Sequence, residues 1–390
     1  MKIRSLKKKK KWQGQTVLLR VDFNVPVSNG RIGEDYRITA ALPTIKYLRE
    51  HGARLLIISH WGDPKTSDQA LSTKPLARRL QKLLAAPVKF VPDLLGPKAQ
   101  KAVANLQEGE IVFLENLRSH PGEKKDDSSF AKELASLADV YVNEAFSVCH
   151  RAQASVSAIT RYLPAFAGLQ LEEELKNLQK ILKPVKPLVV VMGGAKISTK
   201  APLIKKLYAR SAQIIIGGGL ANTFWKYQGL EIGKSLCDEE SAGYLSQFLK
   251  DKKLLPKIIL PVDVIVASAQ GKIRRCLPSE VKKSDCIFDI GPDSIALFSS
   301  YLKKAKTIVW NGPLGKFEDT PYKHGTMAIG TIIAACSTGR AFGLVGGGET
   351  VKALKMTKME SYVDWVSTAG GAMLAYLGGE KMPGLKNIIF

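Results

Sequence analysis

The stretch Ala341–Leu354, AFGLVGGGETVKAL, holds the decisive pattern of the chain: a short apolar run, three glycines, then a helical segment. A strand that ends in a glycine turn and leads into a helix exposes unpaired N–H groups beside the positive end of the helix dipole. That arrangement favours a phosphate. Glu349 and Thr350 stand where the helix should begin. A carboxylate there suits Mg²⁺ held together with nucleotide phosphates. Glutamate is also favourable at any helix N-terminus, so this stretch alone supports both readings.

Working outward, the same punctuation recurs through the second half. The spacing predicts strands over Leu188–Met192, Gln213–Ile216, Lys257–Leu260, Thr307–Trp310 and Ala341–Val345. Four of them run into glycine: Gly193-Gly194, Gly217-Gly218-Gly219, Gly312 and Gly346-Gly347-Gly348. The segment VVVMGGAKISTK adds Lys196 and Lys200, which share one helical face if a helix begins there. Beside a glycine turn two lysines can neutralise phosphates, although exposed surface lysines are the ordinary alternative. There is no GxxxxGK[ST] loop, and no GxGxxG after the first strand of either half.

The first half has strand patterns at Thr16–Asp22, Arg54–Ser59, Val88–Val91, Ile111–Glu115 and Val140–Asn143, with helical stretches Thr39–Glu50 and Lys74–Leu84 between them. Alternation of this kind along the whole chain predicts parallel sheets covered by helices. Ligands of open parallel sheets sit at the carboxyl ends of the strands. In this half those ends carry Asp22 and Asn24, His60, Arg118, and Asn143 with Arg151 a little beyond. Arg37, His60, Arg118 and Arg151 are candidates to grip a carboxylate and a phosphate, because a planar guanidinium makes two parallel bonds to either group. Any one arginine is ordinarily a surface residue, and His60 equally suits a structural hydrogen bond. Their common position after strands is what singles them out. Between the halves lies the leucine-spaced helix pattern 168–182, with Leu171, Leu175, Leu178 and Leu182 on one side, closed by Lys-Pro-Val-Lys-Pro.

At 390 residues the chain exceeds what one hydrophobic core serves, which predicts two domains. No apolar run reaches the roughly 18 residues of a membrane span, and the basic N-terminus lacks the apolar core of a signal peptide. Five scattered cysteines, none in a CxxC pair, point to a reduced, cytoplasmic setting without disulfides or a zinc site. The net charge of +23 includes five consecutive lysines, Lys7 to Lys11. A solvated charge run and an anchor for polyanions both fit it. No specific nucleic-acid motif accompanies it. No convincing Ser-His-Asp or Cys-His arrangement and no HExxH occurs in the sequence, and phosphoryl transfer needs none of them. It relies on alignment and on neutralising the moving group. A basic edge and a glycine-bearing edge on two domains that close across a cleft, excluding water, fit that chemistry.

These motifs, taken in order, resemble the phosphoglycerate kinase family over essentially the whole chain. The resemblance is carried by RVDFNVP at Arg20–Pro26, SHWGDP at Ser59–Pro64, ENLRSHPGE at Glu115–Glu123 and NEAFSVCHRAQAS at Asn143–Ser155. It continues through GGAKISTK at Gly193–Lys200, GGGLANTF at Gly217–Phe224, LPVDVIVA at Leu260–Ala267, then DIGPDSI, WNGPLGKFE, VGGGETV and VSTAGGA. It implies two Rossmann-like, doubly wound parallel-sheet domains separated by a hinged cleft. The expected divisions are a phosphoglycerate-binding domain over 1–167, an interdomain helix over 168–183, a nucleotide-binding domain over 184–370, and a C-terminal segment 371–390 returning to the first domain. The implied reaction is reversible transfer of phosphate from 1,3-bisphosphoglycerate to Mg·ADP, giving 3-phosphoglycerate and ATP, by a monomer. By motif position Asp22, Asn24, Arg37, His60, Arg118 and Arg151 would hold the phosphoglycerate. Arg37 and Lys196 would lie against the transferring group, and Lys200 would contact nucleotide phosphates. Gly193, Gly217 and Gly218 would let the adenosine approach the backbone, Gly291 and Asn311 fall in nucleotide-contact motifs, and Glu318 matches a carboxylate for ribose hydroxyls. Gly347, Gly348, Glu349 and Thr350 match the phosphate and Mg²⁺ segment, with Glu349 toward the metal. Gly370 and Gly371 match a loop near the phosphate in flight.

The chain departs from the family pattern at several points. Asp63 stands where the family usually has arginine, and facing the site it would repel an anion by about 1 kcal/mol. Glu349 stands for Asp, Glu144 for Asp, Gln153 for His, Thr199 for Asp and Ala369 for Gly. The expected activity is an enzyme with weakened 3-phosphoglycerate affinity. The alternative expectation is a non-catalytic nucleotide-binding protein that holds polyanions through Lys7–Lys11.

Overall fold

Thr16–Val21 (β1) is buried at every residue, which a strand achieves only when both faces of its sheet are covered. The computed structural model describes residues 2–28, 31–33, 35–64, 70–240 and 255–390. Around β1 it assembles Arg54–Ile58 (β2), Lys89–Phe90 (β3), Ile111–Phe113 (β4), Val140–Glu144 (β5) and Ala165–Ala167 (β6) in the order β3-β4-β2-β1-β5-β6. Every pairing in this sheet is parallel. Tyr36–Glu50 (α1), Lys74–Leu84 (α2), Pro97–Ala104 (α3) and Ser128–Ala135 (α4) are its helices. Val17, Leu19 and Val21 join Leu55, Ile57, Ile45 and Leu48 in one core. The register sets Arg20 beside both Ile58 and Asn143, so residues just beyond all three strands emerge at one edge.

The chain divides into two units, Met1–Lys176 with Lys381–Phe390, and Asn177–Glu380. The division falls within Leu169–Leu182 (α5), whose Leu171, Leu175 and Leu178 are fully buried while Leu182 is half-buried. In the first unit the last residues pair with the first: Lys2 N donates to Phe390 O at 2.8 Å, and Arg4 N to Ile388 O at 2.8 Å.

The second unit repeats the plan with Leu188–Met192 (β7), Ser211–Ile216 (β8), Ile258–Ile259 (β9), Thr307–Asn311 (β10), Phe342–Gly346 (β11) and Trp365–Ser367 (β12), ordered β9-β8-β7-β10-β11-β12 and all parallel. Met192 pairs with both Ile216 and Asn311, which aligns the glycine turns at one edge. Among the described residues its helices are Ala201–Tyr208 (α6), Gly219–Tyr227 (α7), Pro292–Leu302 (α8), His324–Ser337 (α9), Gly348–Met356 (α10) and Gly371–Gly378 (α11). Helix α11 packs on α6, and only the residues from Lys381 onward lie with the first unit.

The predicted strands reappear within a residue or two. Unpredicted are the three-residue edge strands β6 and β12, too short for a periodic signal, the antiparallel pair Val27–Ser28 and Arg31–Ile32, and an antiparallel sheet of Val264–Ala267, Ile273–Cys276 and Cys286–Ile290. Helix α1 begins three residues before the predicted Thr39, on Asp35, which places Arg37 in its first turn.

Candidate active site

At the carboxyl edge of the first unit the polar side chains brace one another. Asp22 follows β1 directly, accepts from Arg37 Nη1 and Ser147 Oγ, and receives Asn24 N at 3.2 Å. Burial pushes its carboxyl up, but the charge of Arg37, the Ser147 hydrogen bond and the charge of Arg20 act against that, and the carboxyl stays below the usual value. Asn24 Oδ1 accepts from Gly62 N at 2.9 Å. Asn116 clamps the loop after β2 to the turn after β4, accepting from Trp61 N and Arg118 N and donating to Trp61 O and Leu71 O. That turn delivers Arg118, which is 4% exposed. Gln153, with its amide oxygen toward Arg118, accepts from both terminal guanidinium nitrogens at 3.3 and 3.2 Å. Arg151 is exposed, with Nε 3.3 Å from His150 Nε2, and its charge is felt at Arg118. The edge therefore gathers Asp22, Asn24, Arg37, His60 and Arg118 closely, with Arg151 at its rim.

Asp63 is also at this edge. Its Oδ1 lies 2.7 Å from Lys124 Nζ and 4.0 Å from Arg118 Nε, with the side chain 67% exposed. The Lys124 hydrogen bond first, against a smaller effect of burial, holds its carboxyl below the ordinary value.

Asn143 turns inward instead: its Nδ2 donates to Gly384 O at 3.1 Å, tying the chain's last segment to β5. Glu144 accepts from Gln170 N and Leu171 N, both at 3.1 Å, and from Thr44 Oγ1, so it caps α5. Burial pushes its carboxyl up to about 7.

In the second unit the edge is built from backbone. Gly218, Gly291, Gly347 and Gly370 are the N-cap residues of α7, α8, α10 and α11. Gly347 has φ of 100°, which an L side chain adopts only under strain. Gly348 and Glu349 are exposed in the first turn of α10. Thr350 is buried, its Oγ1 accepting from Gly312 N at 2.6 Å. Gly371 opens α11. At Gly193 a Cβ would come within 1.9 Å of Pro313 O, and the space beside Gly217 is taken by Leu314. The room these two glycines leave is thus occupied by the 312–314 loop, and the room beside Gly291 by Asp263.

The helix expected to carry Lys196 and Lys200 on one face begins only at Ala201, where Pro202 suits a first turn. The two lysines diverge: Lys196 is exposed in the preceding turn, while Lys200 is buried and donates to Asn311 O at 3.1 Å and to Asn311 Oδ1. Burial lowers Lys200 to about 8.

Beside these turns opens a cavity of about 530 Å³, within the range of small-molecule and cofactor pockets. Gly194, Gly218 and Gly219 form part of its wall, Trp225, Leu236, Leu314 and Phe288 give it an apolar lining, and Glu318 lies at its border among the exposed residues. Asn222 Oδ1 is buried in this wall without a hydrogen-bond partner. Asp289, also in the wall, is pushed up to about 7 by burial despite accepting from Gly325 N and Ile290 N. Trp225, Phe288, Asn222 and Asp289 escaped the sequence reading because they are brought from separate elements. Arg20 escaped it too, although a charged residue inside the buried strand TVLLRV was the available signal.

A cationic edge for a small anion and a cavity of small-molecule size with phosphate-ready turns belong to the class of enzymes that move a phosphoryl group, where positioning and charge neutralisation do the chemistry. The comparisons make this particular. The family model for phosphoglycerate kinase matches residues 7–380. The phosphoglycerate kinase of Pelotomaculum thermopropionicum is 43% identical over 97% of both chains, and that of Fervidobacterium nodosum 43% identical over 96% of both. The structure of the Coxiella burnetii phosphoglycerate kinase superposes with a TM-score of 0.87 at 38% identity, covering 99% of each chain. The Pyrococcus horikoshii enzyme gives 0.84 at 30% identity over 98% of each. This chain belongs to the phosphoglycerate kinase family and is an ATP-binding phosphotransferase of glycolysis. The alternative of a non-catalytic nucleotide-binding protein gains no support from these relationships. Among the described residues no helix is long and apolar enough to cross a membrane.

Proposed function

We propose that the first unit's edge holds the phosphoglycerate and the second unit's edge holds the nucleotide. In the ATP-forming direction an oxygen of the ADP β-phosphate attacks the phosphorus of the acyl phosphate. The P–O bond to C1 breaks, and its electron pair leaves on the carboxylate of 3-phosphoglycerate. The observation that carries this reading is the gathering of Asp22, Arg37 and Arg118 about His60 at one strand edge, with Arg37 bonded to Asp22. Arg37 and Arg118 pair with the phosphate and carboxylate of the substrate, and Arg151 adds charge at the rim. Arg37 and the exposed Lys196 neutralise the moving phosphoryl group, which is where charge stabilisation accelerates such transfers.

On the nucleotide side, Glu318 at the cavity border takes the ribose hydroxyls, and the turns at Gly218, Gly347 and Gly370 present backbone N–H groups to phosphates. Lys200, carried by Asn311, reaches the same phosphates once it exchanges that partner. Mg²⁺ usually takes one or two carboxylates together with substrate phosphates and water, and the exposed Glu349 beside this turn fits that donor set. Bound there, Mg²⁺ would neutralise the nucleotide phosphates. We take the enzyme to act as a monomer in the cytoplasm, a setting consistent with five free cysteines. A coupled assay of Mg-dependent ATP formation from 1,3-bisphosphoglycerate tests the whole reading. Nucleotide binding without turnover would overturn it.

A further inference from the structure

Arg20 lies at the end of β1, fully buried, with its guanidinium turned to His60. Its Nη2 is 3.0 Å from His60 Nδ1. A guanidinium carries only donors, so at this contact Nδ1 must be the acceptor and the ring's single proton must sit on Nε2. We propose that Arg20 is a positioning residue of the substrate edge, which locks His60 as the neutral Nε2–H tautomer and so makes it a hydrogen-bond donor rather than a cation.

The lock is rigid because its other partners are buried as well. Arg20 Nε donates to Ser155 Oγ at 3.0 Å and Nη1 donates to Val21 O. Ser155 Oγ donates onward to Glu123 Oε1 at 2.8 Å, and Ser155 N to Glu123 Oε2 at 3.0 Å, with Glu123 fully buried. Protonating Nδ1 would break the Arg20 contact and set two donors against each other.

The charges facing the ring act in the same sense. Arg20 comes from β1, Arg37 from α1 and Arg118 from the turn after β4, and Asp22 opposes them. Burial first, then these cations against Asp22, lowers His60 to about 3. The consequence is an anion site to which His60 adds no change of charge across the range in which histidine ordinarily switches. His60 adds direction, and the arginines supply the charge.

This inference rests on reading His60 as a substrate contact, so the experiment separates the two. ¹⁵N NMR of the histidine rings in the full-length apoenzyme, with the His60 signals identified by their loss in His60→Gln, reads the tautomer without substrate. An unprotonated Nδ1 and a protonated Nε2, unchanged from about pH 8 to 5, are expected. A protonated Nδ1, or a titration midpoint inside that range, would overturn the lock. In Arg20→Gln the His60 ring should titrate at a higher pH than in the wild type, with burial, Arg37 and Arg118 still holding it below its ordinary value. Its KM for 3-phosphoglycerate, divided by the wild-type KM at each pH, should then fall severalfold on acidification, because the new imidazolium adds charge to the anion site. The division cancels titration of the substrate itself. Should Arg20→Gln fold while the ring's titration does not rise above that of the wild type, Arg20 is only a core filler and the proposal is wrong. Should it not fold, the wild-type tautomer remains the deciding measurement. A titrating ring with a flat KM ratio would uphold the lock and remove His60 from the substrate contacts.

Discussion

The two strand edges prepare for anions by opposite means. In the first unit the positive groups are side chains, and buried partners hold them: Arg20 by Ser155 and Val21, Arg37 by Asp22, Arg118 beside Gln153. In the second unit the equipment is the backbone, with glycine N-caps on four helices and one buried lysine carried by Asn311. A side-chain edge tolerates changes of backbone detail but loses function with a single charge. A backbone edge has little charge to lose and fails when a Cβ is forced into it.

The sharpest way to break this comparison is to remove the transferring charges. Arg37→Ala and Lys196→Ala should each lower kcat by roughly 10²–10³-fold, the cost of losing one transition-state charge contact. Steady-state kinetics would report this, and calorimetry on Arg37→Ala should find nucleotide affinity little changed. Normal turnover in both variants would remove the role assignment.

The backbone edge can be probed next by Gly193→Ala against Gly348→Ala. The first drives a Cβ into Pro313 O, so a loss of about 1–3 kcal/mol is expected in denaturant unfolding. The second meets nothing within 4 Å and should stay within about 0.5 kcal/mol of wild type. Equal effects at the two positions would refute the packing account of Gly193.

Lys200 sharpens the comparison through pH. Its folded value of about 8 lies below the ordinary 10.5, so between these two values the unfolded chain binds more protons and apo stability gains with rising pH from this group. At neutral pH the buried charge is a cost. Lys200→Met should therefore be more stable than wild type near pH 7, with the difference shrinking toward pH 10, while its affinity for nucleotide falls. A difference that does not vary with pH would show that Lys200 is not a strained cation.

The smallest effect is expected at Asp63. Its carboxylate opposes a substrate anion beside Arg118 but is mostly exposed and already paired with Lys124. Asp63→Asn should lower KM for 3-phosphoglycerate by up to about fivefold, a screened interaction of about 1 kcal/mol at most. The gain should shrink as salt is added, with KM for nucleotide unchanged. A rise in KM would mean that Asp63 positions Arg118 instead of competing for it.

Much of this was legible before folding, and the exceptions are instructive. The long strands could be read because each is built on a mostly apolar run, whereas Ala165–Ala167 and Trp365–Ser367 gain strand geometry only from the neighbours they pair with. The spacing puts Lys196 and Lys200 on one face only if a helix begins there, and with Pro202 in its first turn the helix starts past both. Asn143 sits at a strand end like the site residues, yet the returning C-terminal segment claims its amide.

What the sequence by itself determined is the strand–turn–helix alternation, the glycine and arginine turns that follow the strands, and the family to which their order belongs. These follow from local periodicity and from residue types with fixed chemistry. Only tertiary structure decided which nitrogen of His60 carries the proton, that Gly193 makes room for a loop, that Lys200 is buried while Lys196 is not, and that Asp63 faces both Lys124 and Arg118. Each of these depends on atoms brought together from distant parts of the chain, where burial and neighbouring charge set the behaviour of a group whose sequence context is silent about both.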